Sequence, residues 1–264
     1  MERGECKRKV RDENAFLRWA RLSVMFLILE TFGMDLPVFN SLQKMLGSLV
    51  ECRKCRRLVK FREEVMPRKR ALAEETYWRR PVPGFGDEGA WLLIVGLAPS
   101  AEGGNRTGRI FTGDESARFL FRMLHAEGFA NQSFSERAGD GLRLKECYIT
   151  AAVKCVPPDN KPTVQECDNC SVYLWNEMRL LRKLSAVLVL GGIALGRFLH
   201  YVKGQGGRFS RVEFKHGGTC VVEGFPKIYM SYHPSPQNTN TGKLTGKMFI
   251  EVLRKIKSDR EGGE

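Results

Sequence analysis

Residues 91–114 read WLLIVGLAPSAEGGNRTGRIFTGD, and this stretch is the most informative part of the chain about its fold. The apolar run at 91–95 has the length expected of a buried parallel strand. A loop with five glycines follows, and a helix is predicted from about Ser116. Open α/β sheets build ligand sites from such a strand, loop and helix at the carboxyl edge of the sheet. The loop is therefore predicted to hold a ligand that is planar and polar, or anionic.

A second strand and loop near the other end repeat this arrangement. Residues 227–232, KIYMSY, are predicted to form a strand, and the sequence HPSP follows at 233–236. The two prolines fix the backbone and hold His233 at the mouth of the strand. Either loop alone is a weak indication, because glycine-rich loops are common and a histidine after a strand is more often structural. Together the two loops are a much stronger indication of a functional site.

Predicted strands and helices alternate along the chain. Two more strands are expected at residues 147–153 and 186–190, and helices are expected at residues 115–127, 163–184, 193–201 and 246–257. Strands that alternate with helices indicate a parallel sheet covered on both faces. The predicted class is therefore α/β, with three α/β/α layers and a central four-stranded, mainly parallel sheet.

Three further elements are expected outside this alternation. Residues 36–49 have the pattern of an amphipathic helix, and residues 58–73 are predicted to form a basic helix. A hairpin is expected from residues 211–214 and 219–222, which flank Gly217 and Gly218.

The charge of the chain favours a polyanionic partner. The 264 residues carry 43 Lys and Arg against 30 Asp and Glu, a formal charge of +13, and residues 53–80 are especially basic. Such a field attracts nucleic acid or an acidic membrane surface. No segment has the ~18 apolar residues needed to span a bilayer, and residues 22–29 come nearest. The composition therefore predicts a partner that is nucleic acid or an acidic membrane surface, and no membrane-spanning segment.

The cysteine spacing predicts a metal centre. Reduced thiols at close spacing are typical metal ligands, and Cys52 and Cys55 form one CxxC half of a four-thiolate site. The other half is either Cys167 with Cys170, as in a zinc ribbon, or Cys155 with Cys170. The remaining cysteines are expected to be ordinary thiols: Cys6, Cys147 and Cys220.

The two loops resemble the paired motifs of the uracil-DNA glycosylase superfamily, in particular its type-B, or family five, branch from archaea and thermophilic bacteria. The resemblance rests on residues 96–114 and 233–244, continues through YITAAVKCVPPDNKPT at 148–163, and covers roughly residues 34–255. It implies a catalytic domain at residues 34–258, preceded by an N-terminal extension at 1–33 and followed by a charged tail at 259–264.

The resemblance also implies an activity, a cofactor, and a cytoplasmic, monomeric protein that contacts DNA and no membrane. The activity is hydrolysis of the N-glycosidic bond of uracil, and of other deaminated bases such as hypoxanthine, in DNA. It proceeds by base flipping, leaves an abasic site and includes no strand-cleaving step. The resemblance favours a [4Fe–4S] cluster over zinc, held by Cys52, Cys55, Cys155 and Cys170.

Roles for single residues follow from the resemblance and from the chemistry of base release. The flipped base is expected to stack on Phe111, to bond the backbone of Gly96, Leu97 and Ala98, and to receive a hydrogen bond from a neutral His233. Asn160 is the first candidate to position water, with Asn105 and Asp114 as further candidates, although Asp114 could equally cap the helix after it. Ala151 stands where other branches carry a base-reading Asn, which implies a less selective pocket. DNA contacts are predicted for Arg106, Arg109, Ser235, Thr239, Thr241, Lys243 and Leu244.

Several finer points stay open at this level. Leu244 or Gln237 could fill the gap left by the flipped base. Ser100 is a departure from the family pattern, because many relatives carry alanine there.

The alternative function is a non-catalytic nucleic-acid-binding protein with a four-cysteine zinc module, which explains the charge and the CxxC pair but leaves the two loops unexplained. A small-molecule phosphohydrolase is disfavoured, because the first loop lacks the GxxxxGK[ST] spacing of nucleotide-binding loops.

Overall fold

A sheet of six strands organises the protein, whose computed structural model describes residues 37–66, 72 and 74–262. The strands are β1 (Phe85–Gly86), β2 (Leu92–Gly96), β3 (Cys147–Ala151), β4 (Ala186–Leu190), β5 (Thr219–Cys220) and β6 (Lys227–Ser231). They lie in the order β1-β3-β2-β4-β6-β5. The four central strands β3, β2, β4 and β6 are parallel, and the short edge strands are antiparallel to their neighbours. The predicted α/β class with four parallel strands is confirmed.

Helices connect the strands as a parallel sheet requires. They are α1 (Leu42–Val50), α2 (Arg56–Glu64), α3 (Gly104–Thr107), α4 (Glu115–Ala126), α5 (Val164–Leu180), α6 (Gly192–Gly204), α7 (Pro236–Thr239) and α8 (Gly246–Glu261). Local signals set several helix starts. Thr163 and Glu166 form a reciprocal capping box at α5, and the Thr245 hydroxyl accepts from the Met248 N–H at α8. None of the helices within the described ranges is long and apolar enough to cross a bilayer.

The core lies on both sides of the sheet because the central strands are buried along their whole length. On one face, apolar residues of α4 and α8 pack with alternate strand residues such as Ile94 and Leu188. α6 packs against β4, and α5 packs against α6 and α1. The ends of β2, β4 and β6 are thereby held side by side, which brings their following loops together.

The predicted hairpin is wrong. Thr219 pairs with Tyr229 and Cys220 with Ile228, so β5 adds antiparallel to β6 rather than to residues 211–214. No strand forms at 211–214. The free edge of the long strand β6 offers a ready hydrogen-bonding ladder, and Gly224, with a φ of +79°, lies in the segment between the two strands.

Some predicted boundaries differ from the observed ones. α2 ends at Glu64, whereas the basic helix was expected to reach residue 73, and residues 67–71 and 73 lie outside the described part of the chain. α8 continues to Glu261, so it includes residues 259–261 of the expected charged tail. The expected extension at 1–33 also lies outside the described residues.

Candidate active site

The two predicted loops meet at the carboxyl edge of the sheet. β2 and β6 both pair with β4, so the segments that leave Gly96 and Ser231 emerge on either side of Gly191. Gly191 has a φ of +98°, and a Cβ added to it would lie 3.3 Å from the Cβ of His233. A side chain at this position would crowd the histidine and adopt a disfavoured backbone conformation. Gly191 therefore leaves the room that His233 occupies.

Phe111 and His233 form the centre of the site. Their ring centroids lie 5.8 Å apart, with 32° between the ring planes. The Phe111 ring lies against Gly96, where an added Cβ would be 3.0 Å from its Cε2 atom. Phe111 has a φ of +50°, which is rare for an aromatic residue and costs energy. Strain of this kind is common at ligand sites, and here it places an aromatic ring beside the histidine.

The electrostatics of His233 favour a neutral ring. Burial lowers its pKa below the usual value, and the nearby Asp114 carboxylate opposes this effect by raising it. A neutral imidazole keeps one N–H donor near pH 7. The backbone carbonyl of His233 accepts a hydrogen bond from Asn238 Nδ2 at 2.8 Å, which fixes the loop that carries the ring.

Asp114 has two roles in this geometry. Its Oδ1 atom accepts a hydrogen bond from the Ala117 N–H at 2.9 Å, so Asp114 does cap α4, as the alternative prediction held. Its Oδ2 atom accepts from the Ser100 hydroxyl at 2.6 Å. An added Cβ at Gly103 would lie 2.3 Å from Asp114 Oδ2 and from Ser100 Oγ, so a side chain at this position would displace that hydrogen-bonded pair. The cap thus fixes a carboxylate that acts electrostatically on His233.

Asn105 lies inside the protein. Its side chain is fully buried, and Nδ2 donates to the Arg62 carbonyl at 3.1 Å. Its Oδ1 atom has no hydrogen-bond partner in the part of the chain that the structure describes. This geometry ties the first loop to α2 and does not bring Asn105 to His233, so it does not favour a role in positioning water.

The two arginines of the first loop also face inward. The Arg109 guanidinium, with a side chain 10% exposed, donates to Asp140 at 2.7 Å and to Ser135 at 2.8 Å. Arg106 donates to Glu75 at 2.5 Å and to the backbone carbonyls of Glu102 and Gly113. Both arginines brace the loop from within. Their placement does not favour the predicted DNA contacts.

Asn160 lies in the segment between β3 and α5. It is exposed, it ends the short 3₁₀ turn Pro158–Asn160, and it has a φ of +56° after Asp159 at +53°. Its N–H donates to the Pro157 carbonyl. Within the described residues no hydrogen bond or ring contact joins Asn160 to His233, so its role in positioning water stays a prediction.

The loop after His233 divides into exposed and buried residues. The Thr239 hydroxyl donates to the Ser235 carbonyl, and the Thr241 hydroxyl to the Gln237 carbonyl at 2.6 Å. Lys243 is exposed, and its Nζ lies 5.0 Å from the centre of the Tyr232 ring. Leu244, by contrast, is 1% exposed and belongs to the core, so it is not placed to enter a DNA stack. Of the two predicted wedges, only Gln237 is exposed.

Four cysteines surround one small cavity. The lining residues include Cys52, Cys55, Cys155 and Cys170, whereas Cys167 is not among them. The thiols come from the α1–α2 loop, the segment after β3, and α5. The described cysteines outside this cavity are Cys147 in β3, Cys220 in β5, and Cys167, while Cys6 lies outside the described residues.

The chemistry of this cavity fits an anionic thiolate cluster. Arg62 is 2% exposed, and its Nη1 atom lies 3.0 Å from Cys155 Sγ. A buried cation of this kind requires negative charge nearby. Glu63 Oε1 lies 3.9 Å from Arg62 Nη2, and thiolates that bind a metal would add further negative charge. Burial raises the pKa of the Cys155 thiol to about 11, and Arg62 opposes this rise. Over the described ranges, no three His, Cys, Asp or Glu residues converge closely enough to hold a single metal ion.

The cysteine cavity lies directly behind the first loop. Ala98 packs against a core cluster that contains Leu58, Val153, two of the cavity cysteines, Cys155 and Cys170, and also Cys167. The carbonyls of Gly96 and Leu97 accept hydrogen bonds from the N–H groups of residues 152 and 153 at 3.0 and 2.9 Å. The loop predicted to contact a base is therefore braced by the segment that leads to Cys155.

Sequence reasoning missed several contributors to the site. The sequence marks Ser100 only as a departure, Gly191 is not among the predicted site residues, and Arg62 is predicted only as part of the basic stretch at 53–80. A serine after an Ala-Pro turn and a glycine directly after a strand were available signals. No sequence signal marks Arg62 as buried, because its partners lie far away along the chain.

Comparison with known proteins gives concordant matches. Residues 83–257 match the family model described as Uracil DNA glycosylase superfamily. A Type-5 uracil-DNA glycosylase of Thermus thermophilus is 49% identical over 210 residues, which cover 80% of this chain and 94% of the relative. A Type-5 enzyme of Pyrobaculum aerophilum is 45% identical over 80% of this chain and 90% of its own length. A Type-5 enzyme of Mycobacterium leprae is 43% identical over 83% of this chain and 95% of its own length.

Proposed function

The chain belongs to the uracil DNA glycosylase superfamily, and on that premise we propose that it is a DNA repair enzyme that hydrolyses the N-glycosidic bond of uracil in DNA. The products are free uracil and an abasic site. The observation that carries the proposal is the pairing of Phe111 and His233, with ring centroids 5.8 Å apart, above two glycines at the sheet edge. This arrangement suits a flat base that has left the DNA stack.

His233 stabilises the departing base. As the bond to the sugar breaks, negative charge grows on the pyrimidine and its carbonyl oxygens. A fixed N–H donor in a partly dry site stabilises this charge more in the transition state than in the substrate. Support comes from the burial that lowers the His233 pKa and keeps the ring a neutral donor. Phe111 provides the stacking face for the base.

Asp114 orients the attacking water or stabilises the positive sugar. Its support is the electrostatic effect on His233 and the two hydrogen bonds that fix its carboxylate. Each carboxylate oxygen retains a further lone pair for a water molecule. Asn160 remains a second candidate, because its exposed turn follows β3 and DNA binding can reposition exposed loops.

The proposed substrate range includes hypoxanthine. Ala151 pairs with Gly96 in the sheet, so two small residues stand together at the end of β2 and β3. Small side chains leave space for a purine and offer no side-chain amide to select uracil. This is the support for a pocket that accepts more than one deaminated base.

The four cavity cysteines would hold a [4Fe–4S] cluster, which supplies a covalent crosslink between three separate chain segments. That crosslink would fix the segment behind Ala98 and so the first loop. The thiols, Arg62 and the amide of Asn169, which donates to Cys55 Sγ, form its surroundings. The catalytic roles assigned above belong to the protein's own side chains.

We also propose that the enzyme is monofunctional. A strand-cleaving step needs an amine nucleophile that can reach the sugar. Lys154, which directly precedes Cys155, is 1% exposed and bonds both Glu177 oxygens, at 2.9 and 2.7 Å. That ion pair removes this lysine as a nucleophile.

The test uses duplexes that carry one uracil or one hypoxanthine, with abasic sites cleaved by alkali after incubation. Wild-type protein is expected to release uracil, and His233→Ala, Asp114→Asn and Asn160→Ala test the proposed roles. His125→Ala, an exposed histidine near the end of α4, is the matched control and should retain full activity. No release from either duplex by folded, iron-loaded protein would refute the function and leave simple DNA binding. Strand breaks without alkali would refute the monofunctional assignment.

A further inference from the structure

A groove lies beside the candidate active site and has no part in the mechanism above. It has a volume of about 420 Å³ and separates α4 from the segment that joins α7 to α8. Its lining residues are Glu115, Arg118, Phe119, Arg122, Met123, Thr239, Asn240, Leu244, Thr245 and Gly246. One wall begins at Glu115, directly after Asp114, and the other begins within α7, directly after the HPSP loop. The groove is thus reached from both loops of the site.

The charge of the groove suits an anion. Arg118 and Arg122 are exposed, and Glu115 is the single acidic residue among the lining residues. Arg118 pairs with Glu115 at 2.6 Å, but both side chains are more than half exposed, so the pair is worth only ~0–1 kcal/mol. Within the described residues, Arg122 has no ion-pair or hydrogen-bond partner. A phosphate could therefore engage both guanidinium groups at little cost.

The other lining residues suit a nucleic-acid backbone. Thr239, Asn240 and Thr245 add short polar side chains, and the half-buried Phe119 and Met123 add an apolar floor against which a sugar can pack. Protein–DNA contacts are mostly to phosphate and sugar, from arginine and from hydroxyl and amide side chains. The groove is open and lined from two elements, as an extended strand requires.

We propose that this groove binds the sugar-phosphate backbone of the DNA strand that carries the excised base, at nucleotides next to the flipped one. The inference rests on the proposed function, because only a DNA substrate seated in the site would continue into the groove. Arg118 and Arg122 supply the charge. Their contribution is to affinity and orientation, and they do not act on the glycosidic bond.

The test compares two double variants of equal charge change in the full-length, iron-loaded protein. Arg118→Gln/Arg122→Gln alters the groove, and Arg182→Gln/Lys183→Gln alters exposed cations at the opposite, amino-terminal end of β4. Fluorescence anisotropy with an undamaged duplex gives Kd at several salt concentrations. Single-turnover uracil release at saturating DNA gives the chemical rate.

The groove variant is expected to bind the duplex more weakly. When log Kd is plotted against log[salt], its slope should be smaller than that of the wild type by about 1 to 2, because each phosphate contact contributes ~0.9 to the slope. Its rate at saturating DNA should stay near the wild-type value. Arg118→Lys/Arg122→Lys should restore much of the salt slope because it restores the charge.

Equal salt slopes for the two glutamine double variants would overturn the groove assignment while leaving the glycosylase activity intact. The groove assignment would also be overturned if the groove variant released uracil more slowly at saturating DNA but bound the duplex with an unchanged Kd. Absence of uracil release by the wild-type protein would instead overturn the proposed function, so the two failures are distinct.

Discussion

The Ser100 hydroxyl donates to Asp114 Oδ2 at 2.6 Å, while the other oxygen of the same carboxylate caps α4. Ser100 thus orients the Asp114 carboxylate, which is already held by its hydrogen bond to the first turn of α4. The same carboxylate raises the pKa of His233 against the effect of burial. Ser100, Asp114 and His233 are therefore one connected unit, although they come from two loops far apart in the chain.

Ser100→Ala should lower the rate of uracil release. It removes one hydrogen bond to a carboxylate, and bonds to charged groups are worth ~1.5–3 kcal/mol, so a loss of about ten- to 150-fold is expected. Single-turnover assays measure this. Ser133→Ala, in an exposed loop, is the control and should have no effect. A Ser100→Ala rate equal to that of the wild type would show that the cap alone orients Asp114.

Asp114→Asn separates the capping role from the electrostatic role. Asparagine caps helices about as well as aspartate, so thermal stability should change little. Activity should fall by more than about tenfold because the negative charge beside His233 is lost. Asp114→Ala should lose activity and also ~1 kcal/mol of stability. An active asparagine variant would contradict the role proposed for the carboxylate.

The pH dependence of stability should include a contribution from His233. Burial lowers its pKa in the folded state, so the unfolded chain binds a proton first as the pH falls below the unfolded value of ~6.5. The free energy of unfolding should therefore decrease with falling pH in this range and level off below the folded pKa. Denaturant unfolding of wild type and His233→Gln at about pH 7.5 and about pH 5.5 checks this.

His216 provides an internal comparison for that measurement, because burial lowers its pKa as well. His216→Gln should remove a separate share of the pH dependence. If His233→Gln leaves the dependence unchanged, the ring is not held neutral by the fold.

Cys155→Ser and Cys167→Ser should differ sharply. Cys155 lines the thiol cavity and Cys167 does not, although both lie in the same apolar cluster. Cys155→Ser is expected to lose iron, visible absorbance and thermal stability, whereas Cys167→Ser should retain all three. Iron analysis and thermal unfolding measure the outcome. Loss of iron in the Cys167 variant alone would reverse the ligand assignment, and zinc without iron in the wild type would exclude the cluster.

Arg109→Gln should reduce stability rather than DNA affinity. Burial raises the pKa of Asp140, but hydrogen bonds from Arg109 and from three backbone N–H groups outweigh it and bring the pKa to about 2. Removal of one partner from a buried ion pair typically costs ~3–5 kcal/mol. The salt dependence of DNA binding should stay unchanged. Arg137→Gln, an exposed arginine nearby, is the control, and a smaller salt slope for Arg109→Gln with normal stability would restore its predicted DNA contact.

Much of the fold and part of the site could be predicted from local sequence. Continuous apolar runs such as residues 186–190 form buried strands wherever helices cover both faces of a sheet, so the four central strands were found. The capping box at Thr163 and the cap at Asp114 depend only on residues a few positions away. The strand–loop pattern also indicated that residues 96–114 and His233 form a site. In each case the deciding interactions lie within one element or follow from its periodicity.

The remaining features depend on residues that are distant in the chain. Edge strand β5 joined β6 because the sheet left an open ladder there, which no local pattern in residues 211–222 reveals. Arg106 and Arg109 look like DNA contacts in the sequence, yet carboxylates and carbonyls of the chain itself occupy them. Leu244 was placed in the core by α4 and α8. Local sequence therefore sets the strands, the helix starts and the chemistry available to the loops. Which polar groups remain exposed depends on the folded chain, because burial and pairing are set by neighbours that only folding brings within hydrogen-bond distance.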